Sequence, residues 1–507
     1  MLLTTVSRLL GFVRQAAVNA VFGATGNADV LNAVFNIPNN LRKLLAEGAL
    51  SSAFIPVLSQ AHADDQARSA GEPRDIVRNL LGFQYLVIVP LLVVSVLFAG
   101  PITRAILDFP EESRQLLAAD LFRWFIHYTL LISVSAVVMG TLNSVGRFTV
   151  PALTPILFSI SVIGSLLLFG ASLGVYAMVV GVLVGGVGQI AFQLTQFRSH
   201  GFTLAPSFDF SNPYFRSILR RWGPVVIASS VFAINQQVAL YFASGLQSGS
   251  SSALANAIIF WQLPQGIFAT SVTTVLFPRM SREAGRRDTD ALRATLGYGM
   301  RSIVALLLPA SILLALFGSE VIAVAFQRGA FTAADTARTA HVLVYYCVGM
   351  VGVSVYGFLQ RYCYAGGDYR TPTYTAIGVL IVNFGLSLWL KDTHLQAGGL
   401  ALANAIAFTL AAIVLAAVAW VRLRGIAARR LAVTTLKAIA ATVPGVMVLI
   451  AGKRIFGPWW VDGSSLRSLG LLVAIGVPAL AATVAGFVVL RIEAAAIITR
   501  RFSRDRT

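Results

Sequence analysis

Three arginines in the first fifty residues have the side-chain type that binds phosphate groups. Arg8 and Arg14 lie six residues apart in "SRLLGFVRQ", and Arg42 follows in "NIPNNLRKLLAEG". A guanidinium group is planar, keeps its charge and donates two parallel hydrogen bonds to phosphate oxygens. The chemistry that this set can perform is therefore the binding of a phosphate or pyrophosphate group.

Five further polar residues extend the candidate site. Lysine and asparagine donate hydrogen bonds to phosphate, and carboxylates can pair with the arginines. The alternative interpretation is that the arginines only form ion pairs with Asp29 and Glu47 inside the protein. Two carboxylates, however, would not neutralise all of the positive charge. Arg123 has an alternative of its own, a local cluster with Asp120 and His127. The five residues are Asp29, Asn39, Lys43, Glu47 and Arg123.

The elements that position these charges belong to an unusually apolar chain. Of its 507 residues, 57% are hydrophobic and 12% are charged, and the mean hydropathy is +0.76. Soluble domains carry roughly 25% charged residues, and an apolar stretch of about 18 residues can cross a bilayer. We predict an all-α polytopic membrane protein with about fourteen transmembrane helices. The predicted spans are 2–24, 27–58, 79–103, 117–142, 150–172, 175–197, 222–244, 252–278, 296–319, 336–362, 371–390, 397–421, 432–452 and 469–490.

The arginines of the first two spans are expected to face a wet cavity. An arginine near the middle of a span costs about 2.5–3.5 kcal/mol on insertion scales, so it avoids lipid. Arg8 and Arg14 lie about 120° apart around an ideal helix and can flank one cavity. Pro38 lacks an amide proton and precedes Arg42 by four residues, which predicts a kinked polar helix of the kind that lines water or substrate.

The distribution of basic residues predicts the topology. Loops after even-numbered spans and the C-terminal tail, together with Arg361 and Lys437 at the adjoining span ends, hold 25 of the 39 lysines and arginines. This asymmetry places both termini in the cytoplasm by the positive-inside rule. It also accounts for the net charge of +18 without nucleic-acid binding, because the short loops offer no continuous basic patch. The opposite loops and the adjoining span end at Arg338 hold eight basic residues: Arg104, Arg114, Arg328, Arg338, Lys391, Lys453, Arg454 and Arg467.

Three short motifs repeat at nearly one offset, which indicates an internal duplication. "GRFTVP" at 146–151 recurs as "GDYRTP" at 367–372, "FIPVLS" ending at Ser59 recurs as "LFPRMS" ending at Ser281, and "NIP" ending at Pro38 has a counterpart in "QLP" ending at Pro264. Parallel repeats of about six helices are a transporter signature. We predict an N-terminal lobe over 1–200, a C-terminal lobe over 215–425, two additional helices over 430–492 and a cytoplasmic tail over 493–507.

The two predicted lobes differ in charge. The first contains the buried arginines, whereas "IIFWQLPQGIFATS" in the second has no charged residue. A cationic cavity in the N-terminal lobe is therefore expected, and a phosphate or pyrophosphate headgroup is its natural ligand.

The sequence also resembles a known family. "SRLLGFVR", "FGATGNADVLNAVFNIPNNLRKLLAEGALSSAFIPVLSQ" and "FQRGAFTAADT" closely resemble the MurJ (MviN) lipid II flippases of the multidrug/oligosaccharidyl-lipid/polysaccharide exporter superfamily, over essentially the full length. The resemblance implies a fourteen-helix fold in the bacterial inner membrane. It also implies alternating-access transfer of lipid II, an undecaprenyl-pyrophosphate-linked peptidoglycan precursor, from the cytoplasmic to the periplasmic leaflet.

The resemblance also implies roles for particular residues. Arg8, Arg14, Asp29 and Arg42 match family positions required for transport, and the three arginines match those assigned to the pyrophosphate. The last two helices, near 432–452 and 469–490, would help shape an apolar groove for the polyprenyl tail. We expect a monomer, with cell-wall synthesis proteins as further partners, and neither a cofactor nor enzymatic activity.

The sequence departs from the family pattern in two places. The family commonly has an arginine five residues before the eighth-helix proline, where this chain has Ile259; Lys43 or Arg123 could supply the missing contact. Some relatives bind sodium through carboxylates on helices seven and eleven. Here the corresponding segments offer amides and a hydroxyl but no acid, and we expect no sodium site because a hard cation prefers charged oxygens.

Three other functions compete with lipid II transport. A multidrug exporter of the same superfamily would need acids in its cavity to carry organic cations, and this cavity is basic. An exporter of another polyprenyl-pyrophosphate-linked glycan would bind the same pyrophosphate and tail, so only the family motif argues against it. A membrane scaffold without a substrate would tolerate neutral residues in the cavity. Cys347 and Cys363, sixteen residues apart in one apolar segment, are expected to pack rather than bind metal.

Overall fold

A computed structural model describes most of the chain. The described residues are 2–45, 54–55, 57–61, 72–457, 460 and 466–493. Within this part, residues group into two compact units, Met1–Ser252 and Ala253–Thr507. Each unit is considered by itself below.

The described part of the first unit is helical. Its helices are α1 (Leu2–Phe22), α2 (Asn27–Leu45), α3 (Glu72–Leu97), α4 (Ala99–Ile106), α5 (Glu112–Ser144), α6 (Thr149–Leu173), α7 (Tyr176–Ser199) and α8 (Pro213–Ser244). The span predicted over 79–103 is divided between α3 and α4 at Phe98. Pro101 explains the division, because it has no amide proton to donate to the carbonyl of Leu97.

The second unit contains most of α9 and all of the helices that follow. These are α9 (Ser250–Pro264), a π-helical turn (Gln265–Ala269), α10 (Thr270–Gly285), α11 (Thr289–Phe326), α12 (Ala333–Ala365), α13 (Arg370–Leu390), α14 (Ala397–Arg422), α15 (Ala428–Phe456) and α16 (Leu466–Val489). The π turn follows Pro264 at once, where the missing amide proton interrupts the regular ladder. The first three residues of α9 belong to the first unit.

Each of the fourteen predicted spans falls on helical backbone in the described part of the chain. Among the described residues, ten helices are long and apolar enough to cross a membrane, namely α3, α5–α7 and α11–α16. The predicted spans outside this set include α1, in which only Leu9–Phe22 is a shorter apolar helix, and α2, which contains Pro38 without ending there. These two helices carry the candidate arginines. The charged residues that make them candidates for a binding site also lower their hydropathy.

The internal repeat is visible in the backbone. Helices α12, α13 and α14 begin 221 residues after α5, α6 and α7, the offset predicted from the two glycine turns. In the first turn Arg147 donates its backbone N–H to Leu142 (2.8 Å), and in the second Asp368 donates to Cys363 (2.9 Å). Gly146 and Gly367 have the same φ of +76°. The two turns therefore share the same backbone conformation and the same hydrogen bond.

Alanine at either turn glycine is expected to destabilise its unit. A left-handed backbone costs an L-residue about 1–2 kcal/mol, and no atom lies within 4 Å of the added Cβ, so strain is the whole effect. We predict a loss of about 1 kcal/mol in the free energy of unfolding for Gly146→Ala and for Gly367→Ala. Gly164→Ala and Gly385→Ala, another pair at the same offset, lie in helices with equally open surroundings and are expected to be neutral or stabilising. Equal effects at all four positions in thermal denaturation would contradict this account.

The boundary between the units differs in position from the boundary between the predicted lobes. Helix α8 groups with the first unit, whereas the repeat assigns it to the C-terminal lobe. Specific contacts explain the grouping, because Gln237 donates to the carbonyl of Ile106 (2.9 Å) and the Ser244 hydroxyl accepts from the N–H of Asp108 (2.7 Å). The lobes over 1–200 and 215–425 stay a prediction from the duplicated sequence.

The candidate site rests on an apolar core in the first unit. Most of its buried side chains come from α1, α2, α5, α6 and α7, including Val18, Leu31, Phe125 and Phe158. Helix α1 lies so close to α6 that a Cβ on Gly170 would approach Cγ1 of Val21 to 3.0 Å. This packing fixes the helix that carries Arg14.

Candidate functional site

The structure describes four of the eight predicted site residues in full: Arg14, Asp29, Asn39 and Arg123. Arg8 lies in α1, and Arg42 and Lys43 lie in the last turns of α2. Their side chains, and Glu47 entirely, lie outside the described residues. The geometry of the site is therefore built from α1, α2 and the helices packed on them.

Arg14 lies over an aromatic ring. Its guanidinium carbon is 5.2 Å from the centroid of Phe158 on α6, within the distance of a cation–π contact. Phe158 is buried in the core and packs against Tyr128, with ring centroids 5.2 Å apart. A flat ring below a planar guanidinium restricts its orientation while leaving the edge N–H groups able to donate.

A line of amide side chains continues from Arg14 along α1 and α2. Gln15 donates to Asn19 (3.2 Å) and to Asn32 on α2 (3.4 Å), and Asn36 donates to the backbone carbonyl of Asn32 (2.9 Å). Asn19 and Asn32 are buried. Buried amides that hydrogen-bond to one another fix side-chain positions, so this line ties α1, which carries Arg14, to α2, whose first turn contains Asp29.

Asp29 caps a helix that has no capping side chain of its own. Helix α9 begins after Gly249, which provides no side-chain oxygen for the free N–H groups of the first turn. The carboxylate of Asp29 accepts from the N–H of Ser252 at 2.7 Å, and Asn32 donates to the hydroxyl of the same serine at 3.0 Å. A negative charge at this position is also favoured by the helix dipole.

Arg114 is the ion-pair partner of Asp29. Its Nη2 is 3.5 Å from Asp29 Oδ2, and the two side chains are 5% and 2% exposed. The same nitrogen donates to the hydroxyl of Ser248 (2.7 Å) and the carbonyl of Gly26 (3.3 Å). We call Asp29, Arg114, Ser248 and Ser252 the buried cluster.

Nothing in the sequence pattern predicts this role for Arg114. The sequence assigned it only to the connection before the fourth span, and in the structure it lies buried in the first turn of α5. Its acidic sequence neighbours, Glu111 and Glu112, are typical of a solvated helix start. Asp29 was expected to interact with the cavity arginines, but its described ion-pair partner is 85 residues away in the sequence.

The positions of the loops agree with the predicted span parity. Gly26, Arg114 and Ser248 belong to the connections after the first, third and seventh spans, which an alternating topology places on one side. The hydrogen bonds of Arg114 bring all three together.

The remaining predicted residues are placed as follows. Arg123 is half-exposed on α5 and lies 3.9 Å from Asp120, and Tyr176 donates to that aspartate (2.6 Å). The local cluster proposed as its alternative is therefore present, except that His127 contacts the carbonyl of Trp124. Asn39 is partly buried on α2, and Ile259, at the position of the family arginine, is partly buried on α9.

The two cysteines are buried and unbonded to each other, as expected of packing residues. Each lies in α12, in the second unit.

Comparison with known proteins identifies the family. The profile described as "Lipid II flippase MurJ" matches residues 18–470. A probable lipid II flippase MurJ from Borreliella burgdorferi is 32% identical over 477 residues, which cover 94% of this chain and 92% of that protein. A lipid II flippase MurJ from Burkholderia cenocepacia is 29% identical over 75% of each chain.

Solved structures show the same fold. A lipid II flippase MurJ in an inward closed conformation superposes with a TM-score of 0.79 at 23% identity, over 96% of this chain and 98% of that one. An inward-facing multidrug resistance MATE transporter of the MOP superfamily gives a TM-score of 0.67 at 16% identity, over 82% and 94%. With a profile match across nearly the whole sequence and a relative above 30% identity, this chain belongs to the lipid II flippase MurJ family.

Proposed function

We propose that this chain transfers lipid II from the cytoplasmic to the periplasmic leaflet of the bacterial inner membrane by alternating access. The observation that carries the proposal is the family match over residues 18–470. The ten long apolar helices agree with a multi-pass membrane protein. The protein acts as a transporter rather than an enzyme.

The pyrophosphate of the substrate is assigned to the arginines of α1 and α2. Arg14 supports this role because Phe158 orients its guanidinium while the amide line fixes the helices on either side. Forked donation to phosphate oxygens needs this kind of orientation. Arg8 and Arg42 are assigned to the same group by their type and position, with Lys43, Asn39 and Glu47 beside them. Arg123 is the weakest member of the set, because Asp120 is its neighbour on an exposed face.

The buried cluster is assigned a conformational role rather than contact with substrate. Asp29 and Arg114 join the beginning of α9 to α2 and α5, and α9 is the helix in which the first unit ends. A charge pair that is intact in one state and broken in another biases the equilibrium between the two. We therefore assign Asp29 an indirect role: it holds the start of α9 and does not contact the substrate.

Topology and assembly follow the sequence prediction. Both termini are assigned to the cytoplasm by the positive-inside rule, which places the buried cluster at the periplasmic end. We assign a monomer as the transporting unit, with contacts to cell-wall synthesis proteins, and α15 and α16 to the groove for the polyprenyl tail. The apolar outer surface of these two helices, which includes Leu436, Met447 and Val477, supports the last assignment.

Complementation separates lipid II transport from export of another glycan. A strain depleted of its own lipid II flippase is expected to grow when it expresses this chain, while a strain lacking a polyprenyl-linked glycan exporter is not. Growth of the second strain alone would overturn the proposal. Arg14→Ala and wild type must be compared at equal membrane abundance, so that loss of growth reports transport and not expression.

A further inference from the structure

A basic pocket lies in the second unit, far along the sequence from the candidate arginines. It forms where α11 and α15 meet the end of α16 and encloses about 390 Å³. Its charged lining consists of Arg301, Arg429, Arg430, Lys437, Arg491 and Glu493, and we keep the name basic pocket for this set.

Positive charge in the basic pocket exceeds what its acid can neutralise. Glu493 forms an ion pair with Arg301, whose Nε and Nη2 donate hydrogen bonds to Glu493 Oε2 at 3.2 and 3.1 Å. The Arg301 side chain is only 11% exposed. Lys437 donates to the backbone carbonyl of Leu490 at 2.9 Å. Five cations thus face one carboxylate among the described lining residues, so an anion would stabilise the pocket.

Two of the arginines occupy a position that the helix dipole disfavours. Arg429 and Arg430 follow Ala428 in the first turn of α15, where the free N–H groups and the positive end of the dipole favour an anion and oppose a cation. Cations at this place become favourable when a negatively charged group lies between them and the helix.

Arg491 occupies a backbone position where glycine is the ordinary choice. It has φ of +50° and donates to Val488 O, while Ile492 donates to Phe487 O at 3.0 Å. This pair of bonds ends α16 in a Schellman motif, whose left-handed residue is usually glycine. An arginine here costs backbone energy, which is consistent with a role for its side chain.

Apolar surface continues from the basic pocket. Ile492 lines the pocket and belongs to a buried apolar group with Ala305, Ala441 and Phe487. Leu306 and Leu490 pack against this group. Beside it, Val433 near the start of α15 and Val488 and Val489 at the end of α16 are exposed. A ligand that carries an anionic headgroup and acyl chains would satisfy both the charge and this surface, whereas a soluble anion would use only the charge.

We propose that the basic pocket binds the phosphate of an anionic membrane phospholipid. Arg429 and Arg430 belong to the connection after the twelfth span, and Arg491 and Glu493 follow the last span, which are both assigned to the cytoplasmic side. Arg301 and Lys437 lie near the beginnings of the ninth and thirteenth spans, the ends assigned to the same side. Basic pockets between transmembrane helices on that side are suited to anionic lipid headgroups. The pocket is separate from the assigned pyrophosphate site, and the inference does not depend on which glycolipid the protein transports.

A matched pair of substitutions tests the proposal. Arg424 ends α14 in the same way as Arg491 ends α16: its φ is +51°, it donates to Val421, and Gly425 donates to Trp420. Arg491→Gly and Arg424→Gly therefore make the same backbone change and remove one cation each on the same predicted side. Only Arg491 lines the pocket.

The measurement is native mass spectrometry of the full-length purified protein titrated with phosphatidylglycerol or with phosphatidylcholine. Wild type is expected to bind phosphatidylglycerol selectively. Arg491→Gly is expected to weaken that binding about tenfold, because it removes a charged hydrogen-bond donor to the phosphate, while Arg424→Gly leaves it unchanged. Both variants are expected to melt at or above the wild-type temperature, which excludes misfolding as the cause.

Other outcomes would overturn the proposal. Equal phosphatidylglycerol binding by wild type, Arg491→Gly and the double variant Arg429→Gln/Arg430→Gln would show that the pocket does not hold this lipid. Competition by inorganic phosphate as effective as that by phosphatidylglycerol would indicate a soluble anion. Binding of a polyprenyl pyrophosphate, with none of phosphatidylglycerol, would assign the pocket to the substrate.

Discussion

Replacement of Arg114 by methionine is expected to lower the free energy of unfolding by about 3–5 kcal/mol, the usual effect of leaving one member of a buried ion pair alone. Asp29 would keep its bond from the N–H of Ser252 but would hold an uncompensated charge at 2% exposure. Methionine fills a similar volume, so the loss reports charge and hydrogen bonding more than packing. Denaturant titration of the purified protein in detergent measures the change.

A double-mutant cycle isolates the interaction. Asp29→Asn combined with Arg114→Met is expected to destabilise the protein by less than the sum of the single changes, with a coupling above about 1 kcal/mol. Arg104 and Glu112 provide the control, because they form an ion pair that is 61% and 67% exposed and is expected to couple by less than about 1 kcal/mol. Additive effects of Asp29→Asn and Arg114→Met would show that these two residues do not stabilise the protein through their mutual interaction.

Replacement of Arg14 by alanine is expected to reduce lipid II transport at least about tenfold, because hydrogen bonds to a charged group contribute about 1.5–3 kcal/mol each. Arg14→Lys is expected to recover part of the activity. Lysine restores the charge, but it lacks the planar fork that lies over Phe158 and binds phosphate bidentately. Transport rates of the variants in reconstituted vesicles, at matched protein density, measure the difference.

The control for Arg14 is Arg104→Ala, which removes a cation of the same unit from an exposed pair. It is expected to transport at the wild-type rate. If Arg14→Ala and Arg14→Lys were both as active as wild type, the pyrophosphate would have to be bound elsewhere, and the assignment of α1 to the substrate site would be wrong.

The features that the sequence predicted well are local ones. A glycine followed by a short polar turn marks a left-handed residue whatever surrounds it, so "GRFTVP" and "GDYRTP" predicted two turns that share the same φ. Apolar length likewise predicted helical spans, because a membrane helix satisfies its own backbone hydrogen bonds. The positions of Pro101 and Pro264 also explain the two places where predicted spans are interrupted.

The features that the sequence did not predict depend on distant packing. Arg114 and Asp29 are separated by 85 residues, and each has a different local explanation as a charged residue near a helix start. Only the meeting of α2, α5 and the start of α9 makes them partners. Similarly, the first turns of α15 and the end of α16 are unremarkable basic segments until the fold brings them together with Arg301.

Transport of lipid II by the purified protein tests the central claim most directly. Full-length protein in liposomes that contain lipid II with a fluorescent headgroup is expected to expose that headgroup to an external quencher faster than in protein-free liposomes. Arg14→Ala is expected to abolish most of the increase, and a polyprenyl-pyrophosphate carrying an unrelated glycan is expected to move little. The account would be contradicted if wild-type protein moved lipid II no faster than protein-free liposomes do, while it moved the lipid that carries the unrelated glycan.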